Sequence, residues 1–213
     1  MASRSSVTDA TSDRIISAAT AEFARHGIAG ARVERIAKAA RTSKERVYAY
    51  FRSKEALYRF VAGRELAAMA EAVPLDPADL PGYAGRMHDH ATRHPERHRL
   101  MMWGQLELPA GEAPSDDPVQ ESLRRKIELV RKAQEAGHLD PAWEPEDILV
   151  FVSQLALSWA GQTDLVPLGE ERDAFLAARR AAIVAAVQRL FPSTAEGSRS
   201  DPDCDGPQIR QPG

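Results

Sequence analysis

Apolar residues recur at helical spacing from the first part of the chain onward. The first such stretch has its apolar residues at Ile15, Ile16, Ala19 and Phe23. Ser12 is placed to cap a helix here, and the pattern stops at His26 and Gly27, a cation followed by a residue common at helix C-termini. The pattern therefore predicts a first helix that follows Ser12 and ends at Gly27.

Three more helices are predicted in the next stretch of chain. The second has its apolar stripe at Val33, Ile36, Ala37 and Ala40. Ser43 can cap a third helix in which Val47 and Phe51, four residues apart, face inward. Ser53 can cap a longer fourth helix over 54–72. The apolar residues of this fourth helix are Leu57, Phe60, Val61 and Leu66.

Prolines and glycines mark where the remaining helices begin and end. A connection containing Pro74, Pro77 and Pro81 follows the fourth helix. The later helices are predicted to end at His94, to run from Pro95 to Leu108, and to cover 118–136, 145–160 and 170–191. Asp117 and Pro118 suit the cap and the first helical position of one of them, and Gly137 suits its C-terminus. Because only helical periods occur, the sequence predicts an all-α protein.

Composition places the chain among globular proteins of one or two domains. It has 213 residues, of which 43% are hydrophobic and 28% charged. Its single cysteine, Cys204, excludes a disulfide framework. The first residues contain no apolar signal segment, and polar residues interrupt the longest apolar run, so a cytoplasmic protein outside the membrane is predicted. Residues 1–11 are predicted to be flexible, and the polar tail over 192–213 is predicted to be disordered.

Charge divides sharply along the chain. Residues 1–57 contain 11 Lys and Arg against 6 Asp and Glu, whereas the rest contains 17 against 25. A basic segment in a protein of net charge -3 suggests that this part meets a polyanion.

Two short helices joined by a tight turn lie within the basic part, which is the helix-turn-helix plan. The outward positions of the second helix are Lys44, Glu45, Arg46, Tyr48 and Ala49. Lys and Arg can donate to guanine, Glu can accept from cytosine, and a Tyr hydroxyl can reach a phosphate. Lys54 places a further cation at the start of the next helix, where a phosphate is favoured. The alternative is a cationic surface on a helical bundle, with the aromatic residues in its core.

The segment RIISAATAEFARHGIAGARVERIAKAARTSKERVYAYFRSKEALY resembles the DNA-binding domain of TetR-family transcriptional regulators. The matching motifs are F-x-x-x-G, I-A-x-x-A, S-K-x-x-V-Y-x-Y-F and S-K-E-x-L, in this order. Arg41 departs from the pattern because the family usually has glycine in this turn. Either Arg41 takes a left-handed conformation or the turn differs. Ala31 replaces the usual threonine cap of the second helix, and Glu45 stands where a small residue is common.

The resemblance implies a helix-turn-helix domain over 12–53 and a larger α-helical ligand-binding and dimerisation domain over 54–191. Such a protein is a homodimeric regulator, usually a repressor, that binds a palindromic DNA operator and responds to a small hydrophobic effector. The implied base contacts are Lys44, Glu45, Arg46 and Ala49. The implied phosphate contacts are Arg32, Ser43, Tyr48, Tyr50 and Lys54. The residues of the last two helices agree with dimerisation, since FLAARRAAIVAAVQRLF offers a small-residue face.

The resemblance also places an effector cavity in the second domain. The candidate lining residues are Met87, Met101, Met102, Trp103, Phe151, Gln154 and Trp159. The alternative is that this set of methionines and aromatics belongs to the core.

Four of the six histidines fall within eleven residues. They are His88, His90, His94 and His98. His90 and His94 have the spacing of a metal-binding pair, but Pro95 interrupts the helix and no cysteine is near, so surface or pocket histidines are favoured over a metal site. No motif ties a serine, a histidine and an acid together, and neither an enzyme nor a cofactor is predicted. The alternative function is a helical small-molecule-binding protein or metal-dependent enzyme with an incidental basic N-terminus.

Overall fold

The structure, a computed structural model, describes residues 4–108 and 117–192. Within these ranges it contains nine α-helices, two short 3₁₀ turns and no β-strand, which confirms the all-α prediction. The helices are α1 (Arg4–Gly30), α2 (Val33–Ala39), α3 (Lys44–Tyr50), α4 (Lys54–Ala72), α5 (Leu80–Arg93), α6 (Pro95–Glu107), α7 (Pro118–Glu135), α8 (Pro145–Leu157) and α9 (Glu171–Leu190). The 3₁₀ turns are Pro77–Asp79 and Thr163–Leu165.

α1 begins at Arg4, earlier than its apolar pattern predicts. The prediction that Ser12 caps this helix is wrong, and the segment expected to be flexible is helical over residues 4–11. This stretch contains neither glycine nor proline, so no residue stops the helix before Ser12. Arg14 ties the early part of α1 to the end of α2, because its guanidinium donates to the Thr11 hydroxyl at 3.0 Å and to the Ala40 carbonyl at 3.1 Å. The predicted disordered tail lies outside the described residues from position 193 on.

Local sequence signals set the ends of several helices. The Ser43 hydroxyl accepts from the Arg46 N–H at 3.2 Å, and the Ser53 hydroxyl accepts from the Ala56 N–H at 3.0 Å. The Asp117 carboxylate accepts from the Val119 N–H at 2.8 Å and also pairs with Arg59 at 2.8 Å. These contacts confirm the three predicted N-caps, each of which satisfies a backbone donor that the helix leaves unpaired.

Two hydrophobic cores organise the chain. The first combines residues of α1, α2 and α3 with residues of α4 and α6, among them Phe23, Ile36, Val47, Leu57, Tyr58, Val61 and Leu100. The second joins α5, α7, α8 and α9 through residues that include Leu80, Tyr83, Met87, Val130, Ile148, Val152, Ile183 and Val187. α4 and α6 thus contribute to the first core, although they follow the predicted domain boundary at residue 53.

Candidate nucleic-acid interface and effector cavity

The turn between α2 and α3 contains a left-handed arginine. Arg41 has φ 53°, and it is the one non-glycine residue with positive φ in the described part of the chain. The Thr42 N–H donates to the Ala37 carbonyl at 2.9 Å and the Arg41 N–H donates to the Lys38 carbonyl at 3.2 Å, so the turn closes the end of α2. Of the two conformations that the sequence allowed, the left-handed one is therefore present, with an arginine in a position that favours glycine.

α3 presents one buried and one exposed side. Val47 is only 1% exposed and fixes the helix to the first core. The side chains on the solvent side, which we call the reader face, are Lys44, Glu45, Arg46, Tyr48 and Ala49. All four predicted base-contacting residues lie on this face, so a single DNA groove could meet them together.

Aromatic rings support the cations of the reader face. The Lys44 ammonium lies 6.0 Å from the centre of the Tyr48 ring, and the Arg46 guanidinium lies 5.9 Å from the centre of the half-buried Tyr50 ring. Lys44 also forms an exposed ion pair with Glu34 of α2. The hydrogen bond between the two lowers the pKa of Glu34 and raises the pKa of Lys44. Because the pair is exposed, a phosphate can compete with Glu34 for the ammonium.

The predicted phosphate contacts divide into exposed and engaged groups. Arg32 and Ser43 are exposed at the starts of α2 and α3. Lys54 instead points back to the end of α1, where its ammonium donates to the Ala29 carbonyl at 3.1 Å and to the Ala31 carbonyl at 3.4 Å. Helix-terminal carbonyls lack partners within the helix, which is why the ammonium settles there. A phosphate contact by Lys54 would share the ammonium with these carbonyls.

Glu22 of α1 fixes the start of α2 next to the reader face. Its carboxylate accepts from the Arg32 N–H at 2.9 Å and from the Arg35 guanidinium at 2.7 Å. Burial raises the pKa of Glu22, but the hydrogen bonds from Arg35 and Arg32 and the charges of Arg35 and His26 outweigh it and leave this pKa lowered. The N-cap of α2 is Arg32 rather than the expected Ala31, and its side chain makes no capping hydrogen bond, so Glu22 is the group that anchors this helix start.

The C-terminal half of α6 lies against the end of α1. Gly27 interrupts α1 with φ 69°, as the sequence predicted for the end of this helix, and a Cβ at this position would meet Trp103 and Glu107. The Glu107 carboxylate accepts from the Ala29 N–H at 2.6 Å. We call Trp103, Glu107 and the Gly27–Gly30 turn the α1–α6 clamp. Sequence reasoning missed Glu107, because its partner lies 78 residues away and no local pattern marks the pair.

A cavity of about 200 Å³ lies between α4, α5, α6, α7 and α8. Of the predicted lining residues, Met87 and Met101 contribute to it. The other five do not line this cavity: Met102, Phe151 and Gln154 are exposed, Trp103 belongs to the α1–α6 clamp, and Trp159 packs against Phe175. Neighbouring helical residues point about 100° apart. Met101 and Met102 therefore cannot both face one cavity.

The cavity has polar residues that the sequence reading did not assign to it. They are Glu65, His90, His94, Arg97, His98, Gln105, Lys126 and Ser153. Three members of the histidine cluster thus line a pocket, one of the two placements that the sequence favoured over a metal site. Burial is the main cause of the lowered pKa values of His90 and His98. Across the described residues, no three His, Cys, Asp or Glu side chains are grouped as a metal ion would require.

An exposed helix-turn-helix joined to a second helical domain defines a class of DNA-binding regulators, and the family comparisons agree. The family model described as "Bacterial regulatory proteins, tetR family" matches residues 15–61, and the model described as "Tetracyclin repressor-like, C-terminal domain" matches residues 79–189. The chain belongs to the TetR family of transcriptional regulators and is not an enzyme.

Individual relatives are regulators as well. The chain is 41% identical over 152 residues to the HTH-type transcriptional repressor SCO4008 of Streptomyces coelicolor, a match covering 71% of this chain and 79% of the relative. It is 36% identical over 100 residues to the HTH-type transcriptional repressor NicS of Pseudomonas putida, covering 44% of this chain and 47% of the relative. A crystal structure of SCO4942 from Streptomyces coelicolor, described as a transcriptional regulator, superposes with a TM-score of 0.69 at 52% identity. This superposition covers 86% of this chain and 99% of SCO4942.

None of the described helices combines the length and the apolar character needed to cross a membrane.

Proposed function

We propose that this protein is a transcriptional repressor that binds a palindromic DNA operator as a homodimer and changes its operator affinity when a small effector enters the cavity. The observation that carries the proposal is the reader face, where Lys44, Glu45 and Arg46 are all exposed on a helix that Val47 holds to the core. Base edges in the major groove require donors and acceptors presented in this way. Repression as the sign of regulation follows from SCO4008 and NicS, both of which are named repressors.

An unpartnered apolar surface on α8 and α9 supports a homodimer. Val150 and Phe151 of α8 are 52% and 41% exposed. Along α9 a row of alanines is exposed at positions Ala174, Ala177, Ala178, Ala181 and Ala182. Small side chains allow two helices to approach closely, and an apolar surface of this kind is usually covered in a soluble assembly. A second copy that covers it by two-fold symmetry would carry the second reader face to an adjacent half-site.

The α1–α6 clamp supports a link between the cavity and the reader face. α6 contributes Arg97, His98 and Met101 to the cavity, and further along the same helix it contributes Trp103 and Glu107 to the clamp. α4 adds a second connection, since the Tyr58 hydroxyl donates to the Leu100 carbonyl of α6 at 2.8 Å. A ligand that prefers one position of α6 therefore biases the position of the helix-turn-helix. A hundred-fold change in operator affinity requires only about 2.7 kcal/mol of differential binding.

Selection of bound DNA from a random double-stranded library tests the proposal. The full-length protein should enrich a two-fold symmetric sequence whose half-sites lie about one helical turn apart. Binding to this sequence should weaken steeply as salt rises, because counterions are released at the phosphates. A shuffled duplex of the same length and composition serves as the control. Enrichment of sequences without two-fold symmetry, or equal affinity for the shuffled duplex, would contradict the proposal.

A further inference from the structure

The charges around the cavity do not balance. Its lining contains one carboxylate, Glu65, and two basic side chains besides the histidines, Arg97 and Lys126. The Arg97 guanidinium lies 3.2 Å from the Glu65 carboxylate, so these two charges neutralise each other. Lys126 has no carboxylate partner among the described residues. Its ammonium has only a long hydrogen bond, 3.4 Å, to the hydroxyl of the buried Tyr83.

The position of Lys126 makes this charge costly. Burial lowers the pKa of its ammonium, and no nearby negative charge offsets the effect. Lys126 is partly buried, and a cation partly withdrawn from water without a counter-ion favours a ligand that supplies the opposite charge. The histidines of the cavity do not supply it, because a histidine side chain is either neutral or positive.

The rest of the lining is suited to an apolar body. It consists of Leu66, Met69, Met87, Ala91, Met101 and Leu157. Three of these are methionines, whose flexible side chains adapt to ligands of different shape. At about 200 Å³, the cavity is below the range of about 300–1,000 Å³ usual for drug-sized ligands, which favours a small molecule.

Lys126 also lines a second, outer groove. A groove of about 530 Å³ runs along the outside between α4 and α7, and its lining shares Leu66 and Lys126 with the lining of the cavity. Of the two carboxylates that line the groove, Glu121 is already paired with Arg124 and Arg125. Lys126 is thus shared by the cavity and the groove, so a ligand in either can reach its ammonium.

We propose that the effector is a small carboxylic acid, whose carboxylate pairs with the Lys126 ammonium while its apolar body packs against Met69, Met87 and Met101. The inference rests on the proposed function and specifies the chemical class of its effector. A carboxylate fits better than a phosphate, because a single ammonium can balance one negative charge, whereas phosphate sites gather several cations or backbone N–H groups. An amine is disfavoured because Glu65, the one acid in the lining, is already paired with Arg97.

Calorimetric titration of the full-length protein with three compounds of equal chain length tests this inference. Octanoate should bind, and neutral octanamide and cationic octylamine should bind at least about ten-fold more weakly, because only the carboxylate can pair with the ammonium. Phenylpropionate with its amide repeats the comparison with an aromatic body. Failure of both acids to bind, or equal binding of an acid and its amide, would overturn the inference.

Substitution of Lys126 assigns the effect to its charge. Lys126→Met retains an apolar chain of similar length and should weaken octanoate about ten- to hundred-fold while leaving octanamide unchanged. Lys126→Arg should retain most of the affinity. Lys132→Met makes the same chemical change on the exposed side of α7 and is the matched control. Wild-type affinity for octanoate in Lys126→Met would overturn the inference.

Operator binding without any added compound separates the two proposals. Selective DNA binding by a protein that binds neither acid would leave the proposed function intact and end the inference. Octanoate binding through Lys126 in a protein that shows no DNA selectivity would support the carboxylate site and contradict the proposed function.

Discussion

Glu107 and Ala29 join the C-terminal helical domain to the helix-turn-helix domain through a hydrogen bond of 2.6 Å between a carboxylate and a backbone N–H. The bond lies where Gly27 interrupts α1, and Lys54 holds the Ala29 carbonyl from the other side. Both polar groups of one peptide segment are therefore fixed by side chains from later helices. A displacement of α6 would therefore move the Gly27–Gly30 segment directly.

Removal of the Glu107 carboxylate should loosen the end of α1. Glu107→Ala leaves the Ala29 N–H without its partner and should cost about 1–2 kcal/mol of folding free energy. Backbone hydrogen exchange over residues 27–31, followed by mass spectrometry, should become faster, whereas exchange in α9 should not change. Glu135→Ala, at an exposed position of α7, is the control. Unchanged exchange at 27–31 would show that the bond does not hold the segment.

Arg46 should determine sequence preference. Arg46→Ala should weaken binding to the selected operator by about 1–3 kcal/mol and relax the preference at one base pair of each half-site. Lys54→Ala should weaken binding to all sequences similarly and should also lower thermal stability, because the Ala29 and Ala31 carbonyls lose a donor. Arg131→Ala, on α7, removes a cation outside the reader face. Gel-shift titrations across operator variants measure the base preference of each protein. An Arg46→Ala protein with wild-type preferences would show that Arg46 does not read a base.

Ala182 should lie in the dimer interface. In the single chain it is exposed on α9, opposite the face that Ile183 and Val187 bury. Ala182→Glu would place a charge in an apolar interface and should give monomers with greatly reduced operator affinity. Ala68→Glu makes the same change at an exposed position of α4 and should leave the assembly dimeric. Light scattering at micromolar concentration gives the molar mass of the wild type and of both variants. A monomeric wild type at this concentration would refute the dimer.

The turn at Arg41 should accept glycine without loss. A left-handed conformation costs a side-chain-bearing residue roughly 1–2 kcal/mol, and glycine avoids most of this cost while gaining entropy in the unfolded chain. Arg41→Gly should therefore be at least about 0.5 kcal/mol more stable than Arg41→Ala, which lacks the same side-chain contacts but retains the strain. Chemical denaturation compares the two. Equal stability would mean that the left-handed conformation carries little strain.

Glu22 should make the folded state less stable at acidic pH than at neutral pH. Its folded pKa is below the ordinary value of 4.5, so its contribution is present above that pH and is lost as the pH falls through the folded pKa. Glu22→Gln should lower the melting temperature near neutral pH and reduce its fall between about pH 5 and pH 3. Glu135→Gln, at an exposed position, is the control. The prediction would be contradicted if the melting temperatures of wild type and Glu22→Gln fell by the same amount between about pH 5 and pH 3.

Local signals account for what the sequence predicted well. Ser43, Ser53 and Asp117 act within three residues of their own positions, so their capping roles can be read without tertiary information. The reader face was predicted for the same reason, because the rotation of a seven-residue helix follows once Val47 is assigned inward. The sequence also indicated that Arg41 needed an unusual conformation, although it left open whether the turn itself would change.

The residues that line the cavity could not be predicted as well as the helix caps and the reader face. Its lining depends on how α4 to α8 are rotated about their axes, and chemically similar neighbours such as Met101 and Met102 point to different places. No local pattern distinguishes Lys126 from the other charged residues of α7, and its place beside Tyr83 depends on the packing of α5 against α7. Lys54 was expected to face a phosphate but found closer acceptors on α1. In each case the deciding neighbour is remote in sequence.

The first core, which includes Tyr58 of α4 and Leu100 of α6, connects the stability of the protein to its abundance and to the occupancy of the operator. A substitution at either residue lies away from the reader face, yet it alters the fraction of molecules whose helix-turn-helix is folded. In a cell, a loss of only 1–2 kcal/mol can change protein abundance several-fold through degradation. Occupancy of the operator depends on abundance as well as on affinity. Changes in these two buried side chains would therefore alter the dose of the regulator, and gene expression would respond even where every DNA-contacting residue is intact.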